Sequence, residues 1–305
     1  MKIAVSFYTT EFTKLKKFWN KNSSVNRKGF RGSKVAKDFS QGGLYSLYCF
    51  DKKKELETVD LITPGGFDYD SDYFYVAVNS HTIEVLDRNT LKSIDHITNH
   101  LFNQLHSVHL TDEGLLVASS GVDSAIEVDK SGEILFHWNA TKYGFDTLPD
   151  GRKRILNEQE DHRKKSYATL DQTTHLNSAI YVGSNVYISL FHQGKLVKVN
   201  KFNDEIESSI SGLSNPHALY DLGNQLMVSD TSKKRVLFLS YDLEITNSVA
   251  VDSDWIQDAI MTSNNTLLVA DSNNNQIQEL DLRGSLLSKL KYSYERRIYQ
   301  IKELL

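Results

Sequence analysis

A pattern of two short apolar runs joined by a polar turn recurs about every 40 residues along this 305-residue chain. In the clearest copy, His217 opens the first run, and the second run lies at 226–228. Steps of forty residues from His217 reach Gln257 in one direction and Asn177 in the other, and each opens the same pattern. His106 and Gly66 open two further copies, with an insertion between His106 and Asn177. Self-similarity at a fixed period of this length indicates a repeat architecture.

Each copy continues with two more strand-like runs, such as 125–128 and 133–136 in the copy that His106 opens. Four short strands in roughly 40 residues, with Gly, Asn and Asp at the turns, are typical of one blade of a β-propeller. The apolar runs at 2–8, 44–50, 56–61 and 297–301 supply the four strands of one more blade. We therefore predict an all-β fold, a six-bladed β-propeller that spans 1–305 as a single domain. The N- and C-terminal strands share one blade and close the ring.

The start of the His217 copy reads Pro216-His217-Ala218 and continues to Asp230 and then Arg235-Val236, while 271–277 in the next copy reads Asp-Ser-Asn-Asn-Asn-Gln-Ile. These segments resemble the NHL repeat, which has a Pro-His-Gly-like start and an Asp followed by Asn or His, Arg and Ile. The resemblance implies the propeller fold. It implies little about function, because propellers host many activities.

Two long insertions interrupt the pattern, at 9–41 and at 140–174. The first carries nine Lys or Arg residues and two acidic ones, while the whole chain has a net charge of −4, so the remainder is strongly acidic. Phe12, Leu15 and Phe18 have helical spacing at its start. In propeller topology, loops between blades and loops from second to third strands emerge on one face. We therefore predict that both insertions project over the top face, where the innermost strands begin, as a lid or as a docking surface.

The innermost strands of a propeller line its channel, so the first residues of the six copies should form a ring around one mouth. Aligned at forty-residue steps, this ring consists of Gly66, His106, Asn177, His217, Gln257 and Arg297. His175 and His192 flank the Asn177 copy, and Asp230 and Asp271 end second strands beside the same mouth. By contrast, His109 has the opposite strand parity from His106, so we expect it to pack between blades.

These positions define the candidate site. We predict catalytic roles for His106, His217, His175 and His192, and substrate-binding roles for Asn177, Gln257, Arg297, Asp230 and Asp271. Imidazoles that converge on one mouth favour acid–base or nucleophilic catalysis. They are also compatible with a divalent metal site with His106 and His217 as ligands, where Zn²⁺ or another transition metal suits the donors better than Ca²⁺. A hydrogen-bonded, water-filled channel is the third interpretation, and the sequence leaves all three open.

One segment has a second family resemblance. It contains His175, Asn177 and Ser178, then Ser189 and His192, followed by an apolar strand. This order is similar to part of the arylsulfotransferase-type propellers, which show His-x-Asn-Ser and then Ser-x-Arg-His. Phe191 stands where that family has an Arg, which would contact the transferred sulfuryl group.

The sequence therefore predicts an enzyme that acts on a small polar or anionic substrate at the channel mouth, by hydrolysis, elimination or group transfer. The alternative is a non-catalytic scaffold whose top face binds a protein, a glycan or another ligand. A net charge of −4 argues against a nucleic-acid partner, and no apolar stretch has the length of a membrane span. A single cysteine, Cys49, excludes an intrachain disulfide framework and favours a reducing compartment, so we expect a cytoplasmic protein.

Overall fold

The apolar runs form short strands, and within each sheet adjacent strands pair in antiparallel ladders. This architecture is seen in a computed structural model that describes the backbone of residues 1–25, 31–33 and 42–305, and the side chains of 1–18 and 42–305. Within these ranges the strands form six four-stranded sheets and one two-stranded ribbon. The six sheets are the blades of a six-bladed β-propeller, as the repeat predicts.

The first three blades follow the chain from the innermost to the outermost strand. Blade 1 consists of β6 (Phe67–Tyr69), β7 (Tyr73–Val78), β8 (Thr82–Asp87) and β9 (Ser93–Ile97). Blade 2 consists of β10 (Leu105–Leu110), β11 (Leu115–Ser119), β12 (Ser124–Val128) and β13 (Ile134–Asn139). Blade 3 consists of β14 (Leu176–Val182), β15 (Asn185–Leu190), β16 (Lys195–Asn200) and β17 (Ile206–Ile210).

Blades 4 and 5 also follow the chain, whereas blade 6 combines its two ends. Blade 4 consists of β18 (Pro216–Asp221), β19 (Leu226–Asp230), β20 (Arg235–Leu239) and β21 (Ile245–Ala250). Blade 5 consists of β22 (Ile256–Met261), β23 (Leu267–Asp271), β24 (Gln276–Leu280) and β25 (Leu286–Lys291). Blade 6 has the order β26 (Arg297–Glu303), β1 (Lys2–Thr9), β4 (Gly42–Cys49) and β5 (Lys54–Ile62).

Buried apolar clusters fill the spaces between neighbouring blades. Blades 1 and 2 share one that includes Ile83 and Val117, and blades 5 and 6 share one that includes Leu268 and Val5. A further cluster joins Tyr45 of blade 6 to Phe74 of blade 1 and completes the ring. Because burial of apolar surface is the main favourable term in folding, the blades stabilise one another around the full circle.

The two insertions meet on the face where the innermost strands begin. The first forms α1 (Phe12–Asn22), β2 (Ser23–Val25) and β3 (Arg31–Ser33), while 26–30 and 34–41, which include several of its basic residues, lie outside the described residues. The helix buries Phe12 and Leu15 against the propeller. The second insertion contains 3₁₀ turns at Ala140–Tyr143 and Thr169–Asp171, and the backbone of β3 lies beside the latter turn.

Candidate functional site

A cavity of about 240 Å³ runs between the innermost strands. At one end, its wall contains side chains from blades 2 to 6 at matching repeat positions. These are His106, Asn177, His217, Gln257 and Tyr299. Four of the five belong to the ring that the forty-residue repeat predicts.

A β-bulge near the start of each innermost strand of blades 2 to 6 positions these side chains. In β10, Leu105 pairs with Ser119 and Ser107 pairs with Ala118, which leaves His106 as the extra residue. The same shift occurs at Asn177, at Ala218 beside His217, at Gln257 and at Tyr299. Because a bulge bends the strand and re-aims a side chain, an inner-strand residue can face the cavity instead of continuing the ladder.

The expectation for His109 is met in part, because it contacts Asp68 of the neighbouring blade but also lines the cavity. Counting alternate residues from His106 places His109 on the opposite face, between blades. The extra residue at position 106 breaks that alternation, and His109 lines the cavity. There its Nδ1 lies 3.7 Å from Asp68 Oδ2.

The ring of His106 is held through Nδ1. Gln104, two residues earlier, has a left-handed backbone with φ of 51°, and its carbonyl oxygen lies 2.9 Å from Nδ1. Ser120 Oγ is also 2.9 Å from Nδ1, and the Ser120 hydroxyl donates to the Leu176 carbonyl. A carbonyl can only accept, so Nδ1 carries the hydrogen and Nε2 is the unprotonated nitrogen.

The same arrangement recurs in blade 4. Asn215 has φ of 57°, and its carbonyl oxygen lies 3.0 Å from His217 Nδ1. Thr231 Oγ1 is 3.0 Å from the same nitrogen and donates to the Ile256 carbonyl at 2.7 Å. No residue in the described part of the chain makes a hydrogen bond to Nε2 of His106 or of His217. Two unprotonated nitrogens are therefore available at this end of the cavity.

Burial keeps both rings neutral. It lowers the pKa of His106 to about 4, against which the Gln104 carbonyl acts in the opposite direction. It lowers the pKa of His217 to about 3. Removing an imidazolium from water is unfavourable when no carboxylate compensates it, so each ring presents a lone pair at neutral pH.

His175 and His192 continue the cluster outside the wall of the cavity. The ring centroid of His175 lies 4.7 Å from that of His106 and 5.8 Å from that of His192. Phe191 bridges His175 and His217, with centroid distances of 5.0 and 5.3 Å. The structure therefore brings the four predicted catalytic histidines into one contiguous group, in which only His106 and His217 line the cavity.

The second insertion fixes His175. Its Nδ1 lies 2.6 Å from Gln172 Oε1, and Gln172 Nε2 donates to Gln104 Oε1 at 2.7 Å. His175 itself has φ of 48°, a strained conformation for a residue with a large side chain. Burial, with the neighbouring histidines, holds its pKa well below the usual range. His192 has a lowered pKa for the same first reason, and its Nε2–H donates to the Thr169 carbonyl at 2.9 Å.

Asp230 and Asp271 are buried beneath the loops that lead into β18 and β22, outside the cavity wall. Asp230 accepts from the Ser214 amide at 2.6 Å and from Arg235 Nε at 2.8 Å. Asp271 accepts from the Trp255 amide at 3.4 Å and from Asn274 at 2.7 Å. Their contacts hold loops that precede His217 and Gln257, and neither carboxylate faces the cavity.

Tyr299 occupies the ring position that forty-residue counting assigns to Arg297. Ser6 pairs with Gln300 and Phe7 with Ile298, so Tyr299 is the bulged residue of β26 and Arg297 lies two residues earlier. The Arg297 guanidinium instead packs 5.0 Å from the Phe12 ring centroid, and Nη1 lies 3.5 Å from Asn273 Oδ1. Burial lowers its pKa to about 10.

The sequence did not identify several residues that line the cavity, because they lie one position after the bulge of their inner strand. Ser107, Ser178, Asp258 and Gln300 each accept from a backbone amide of the next blade, at 2.7–3.3 Å. Asp258 also accepts from the Tyr220 hydroxyl at 2.9 Å, and burial raises its pKa to about 7. A polar residue recurring at this repeat position is the sequence signal that could have identified them.

No group of three or more His, Cys, Asp or Glu side chains suited to a metal ion occurs in the part of the chain that the structure describes. Within the same part, no helix has the length and apolarity required to span a bilayer.

No protein-family model matches this chain, and no curated protein matches it significantly. Among solved structures, it is similar to a protein of unknown function from Bacteroides caccae, with 14% identity, a TM-score of 0.61 and coverage of 85% of this chain and 93% of that one. It is also similar to virginiamycin B lyase from Staphylococcus aureus, with 9% identity, a TM-score of 0.51 and coverage of 75% and 69%. A catalytically inactive histidine-to-alanine variant of that lyase with quinupristin matches at a TM-score of 0.50, with 9% identity and coverage of 75% and 70%.

These likenesses establish the fold alone. At such low identity, the activity of the lyase does not transfer to this chain. They do show that the solved structures with a similar fold include an enzyme.

Proposed function

We propose that this protein is an enzyme that acts on a small polar substrate at the histidine-lined end of its cavity. One observation carries the proposal. His106 and His217 are both fixed through Nδ1 in equivalent environments, and in both rings Nε2 has no hydrogen bond from the described residues. A structural role alone would not require two rings locked in the same tautomer beside one cavity.

The chemistry available to such a site is proton transfer. A neutral imidazole accepts a proton at Nε2 and returns it in a later step, which assists elimination, hydrolysis or transfer of a group to an acceptor. The Gln104 and Asn215 carbonyls would stabilise the imidazolium that forms, because each accepts from Nδ1–H. Elimination is the simplest of these options, because it needs a base and no second substrate.

The second insertion supports the site from above. Gln104 Nε2 donates to the Tyr167 carbonyl, and Gln172 links Gln104 to His175. Gln104 also supplies the carbonyl that orients His106. We assign Gln172 and Gln104 as positioning residues that connect the insertion to the rings of His175 and His106.

A divalent transition metal remains a separate option. Two neutral imidazole nitrogens are donors of the type such metals take, but the described residues supply no third ligand, so we derive no step through a metal. The metal content of protein purified without added metal, for wild type and His217→Ala, tests this option directly.

A non-catalytic scaffold is the rival function, and one observation favours it. Ser107, Ser178, Asp258 and Gln300 tie neighbouring blades together, so much of the channel polarity has a structural explanation. On this view the top face, with both insertions, docks a partner.

Turnover by histidine variants separates the two functions. We expect wild-type protein to turn over at least one member of a panel of 4-nitrophenyl esters, aryl sulfates, lactones and β-elimination substrates. His106→Ala and His217→Ala should each lower kcat/KM by about 100-fold or more, since general acid–base catalysis contributes about that much. The exposed His96 on β9 provides the matched control, and His96→Ala should retain full activity. Full turnover in both folded site variants would exclude the proposed mechanism.

A further inference from the structure

The end of the cavity that contains the histidines has an unused acceptor on blade 3. Asn177 Nδ2 donates to the Pro216 carbonyl at 3.3 Å, and because a carbonyl can only accept, this contact fixes the orientation of the amide. Asn177 Oδ1 is therefore the other end of the amide. It is buried and has no hydrogen bond from the described residues, although Asn177 lines the cavity. A buried polar atom without a partner is costly, so Oδ1 is suited to accept from a ligand.

Blades 2 and 4 flank this acceptor with two more. Nε2 of His106 and Nε2 of His217 are both unprotonated, since the Gln104 and Asn215 carbonyls fix the hydrogen on Nδ1. Three consecutive blades thus each place an acceptor without a described hydrogen bond on a residue that lines the same cavity.

The opposite side, on blade 5, presents a donor. The indole Nε1–H of Trp255 donates to Gln257 Oε1 at 3.0 Å, and an indole nitrogen cannot accept. The amide nitrogen of Gln257 is therefore the group left for a ligand. Tyr299 on blade 6 adds a hydroxyl, and burial raises the pKa of Tyr299 so that it stays neutral.

The formal charges in the wall itself do not favour an anion, while the buried Arg297 guanidinium acts on His217 from outside the wall. Lys302 is the Lys or Arg residue that the described residues contribute to the lining, and it is paired with Asp68. Asp221 and Asp258 contribute carboxyl groups, and both histidine rings are neutral. An anion would meet acceptors and carboxylates, whereas a donor would find partners.

We propose that the mouth recognises a ligand through converging O–H or N–H donors, and that its ligand class is an uncharged polyol of about one sugar ring, not an anion. The size follows from the cavity of about 240 Å³, which is larger than the space a few waters need and smaller than most pockets for drug-sized ligands. An alkylammonium ion also carries N–H donors, so the experiment must distinguish it from the polyol. This inference rests on the site of the proposed function and names the substrate class for it.

The ranking of three probes by isothermal titration calorimetry tests the inference on the wild-type protein. The probes are myo-inositol, cyclohexylammonium and inorganic phosphate at constant ionic strength. We expect saturable binding of myo-inositol in the millimolar range and binding of phosphate at least about tenfold weaker. Tighter binding of cyclohexylammonium than of myo-inositol would overturn the uncharged polyol as the ligand class and indicate an ammonium ligand. Tighter binding of phosphate, or no binding of either donor up to about 100 mM, would overturn the whole inference.

Asn177→Leu tests the contribution of the buried acceptor. We expect it to weaken myo-inositol binding about fivefold to tenfold, the effect of one lost hydrogen bond. Asn247→Leu, on the exposed face of β21, is the matched control and should bind as wild type does. Unchanged binding in a folded Asn177→Leu protein contradicts the inference, and the wild-type ranking decides it if this variant does not fold.

Failure of the inference and failure of the proposed function give different results. Binding of myo-inositol that depends on Asn177, without turnover of any substrate, would reject the enzymatic function and support the proposed ligand class. Turnover of an anionic substrate that depends on His106 would support the enzymatic function and reject the uncharged polyol as its ligand class.

Discussion

At the scale of single residues, backbone conformation decides which side chains reach the site. Gln104, His175 and Asn215 all have positive φ two residues before an inner-strand ring position. In the two histidine blades, the left-handed residue turns its carbonyl back to the imidazole Nδ1. Strain of this kind persists where the surrounding structure holds it, and here it orients the candidate catalytic rings.

Ala218 shows the same strain without a side chain that benefits from it. It is the bulged residue of β18, with φ of 43°. Glycine adopts this conformation without the steric cost that Cβ brings. Ala218→Gly should therefore raise the free energy of unfolding by about 0.5–1 kcal/mol, as measured by urea denaturation. Ala259→Gly on β22, where φ is negative, should lower it instead, and equal effects of the two changes would exclude strain at Ala218 as the cause.

Residue-level reasoning from sequence reached only part of the site. The repeat placed His106, Asn177, His217 and Gln257 at one mouth, because their spacing follows the blade period. It assigned Arg297 where Tyr299 lies, because forty-residue counting does not include the bulge register of β26. Bulges and hydrogen bonds between blades depend on tertiary contacts, and no local pattern in one sequence specifies them.

At the scale of elements, a buried ion pair anchors the second insertion. Arg154 Nη1 binds Asp123 Oδ2, and both side chains are nearly inaccessible to solvent. Asp123 also accepts from the backbone amides of Thr173, Thr174 and His175. The carboxylate thus joins the middle of the insertion to the residues that enter β14, next to the histidine cluster.

Arg154→Ala should destabilise the protein by about 3 kcal/mol, because it leaves a buried carboxylate without its cation. The neighbouring Lys153 forms an exposed pair with Asp146, so Lys153→Ala should cost less than about 1 kcal/mol. Equilibrium unfolding in urea measures both changes. The double variant Arg154→Met/Asp123→Asn should recover part of the loss, and similar costs for Arg154→Ala and Lys153→Ala would show that the buried pair is not an anchor.

At the scale of the whole molecule, the buried neutral histidines couple folding to pH. His106, His175, His192 and His217 all have pKa values below the ordinary value of 6.5, in each case first because of burial. The unfolded chain therefore takes up protons below about pH 6.5 that the folded chain does not. Asp258, with a pKa raised to about 7, acts in the opposite direction over the same range. It is one group against these four and against His81, His109 and His137, whose pKa values burial also lowers.

Stability should accordingly fall as the pH decreases from about 6.5 to about 4, with His217 alone accounting for about 2 kcal/mol at pH 5. Urea unfolding at pH 7.5, 6 and 5 measures the slope. His217→Gln should flatten it, since glutamine does not titrate, whereas His96→Gln on the exposed face of β9 should leave it unchanged. A slope that is the same in wild type and His217→Gln would show that His217 is not buried in neutral form.

The pairing of β26 with β1 has a consequence for biosynthesis. Ile3 and Glu303 are partners in the same ladder, so the ring can close only after residues 297–303 have left the ribosome. Until then β1 has one unpaired edge, and the cavity lacks Tyr299 and Gln300. A nascent chain that stops before this strand holds both histidines yet has an open, unfinished pocket. The complete cavity, and with it any ligand binding that needs it, would therefore form only after residues 297–303 have been synthesised and paired with β1.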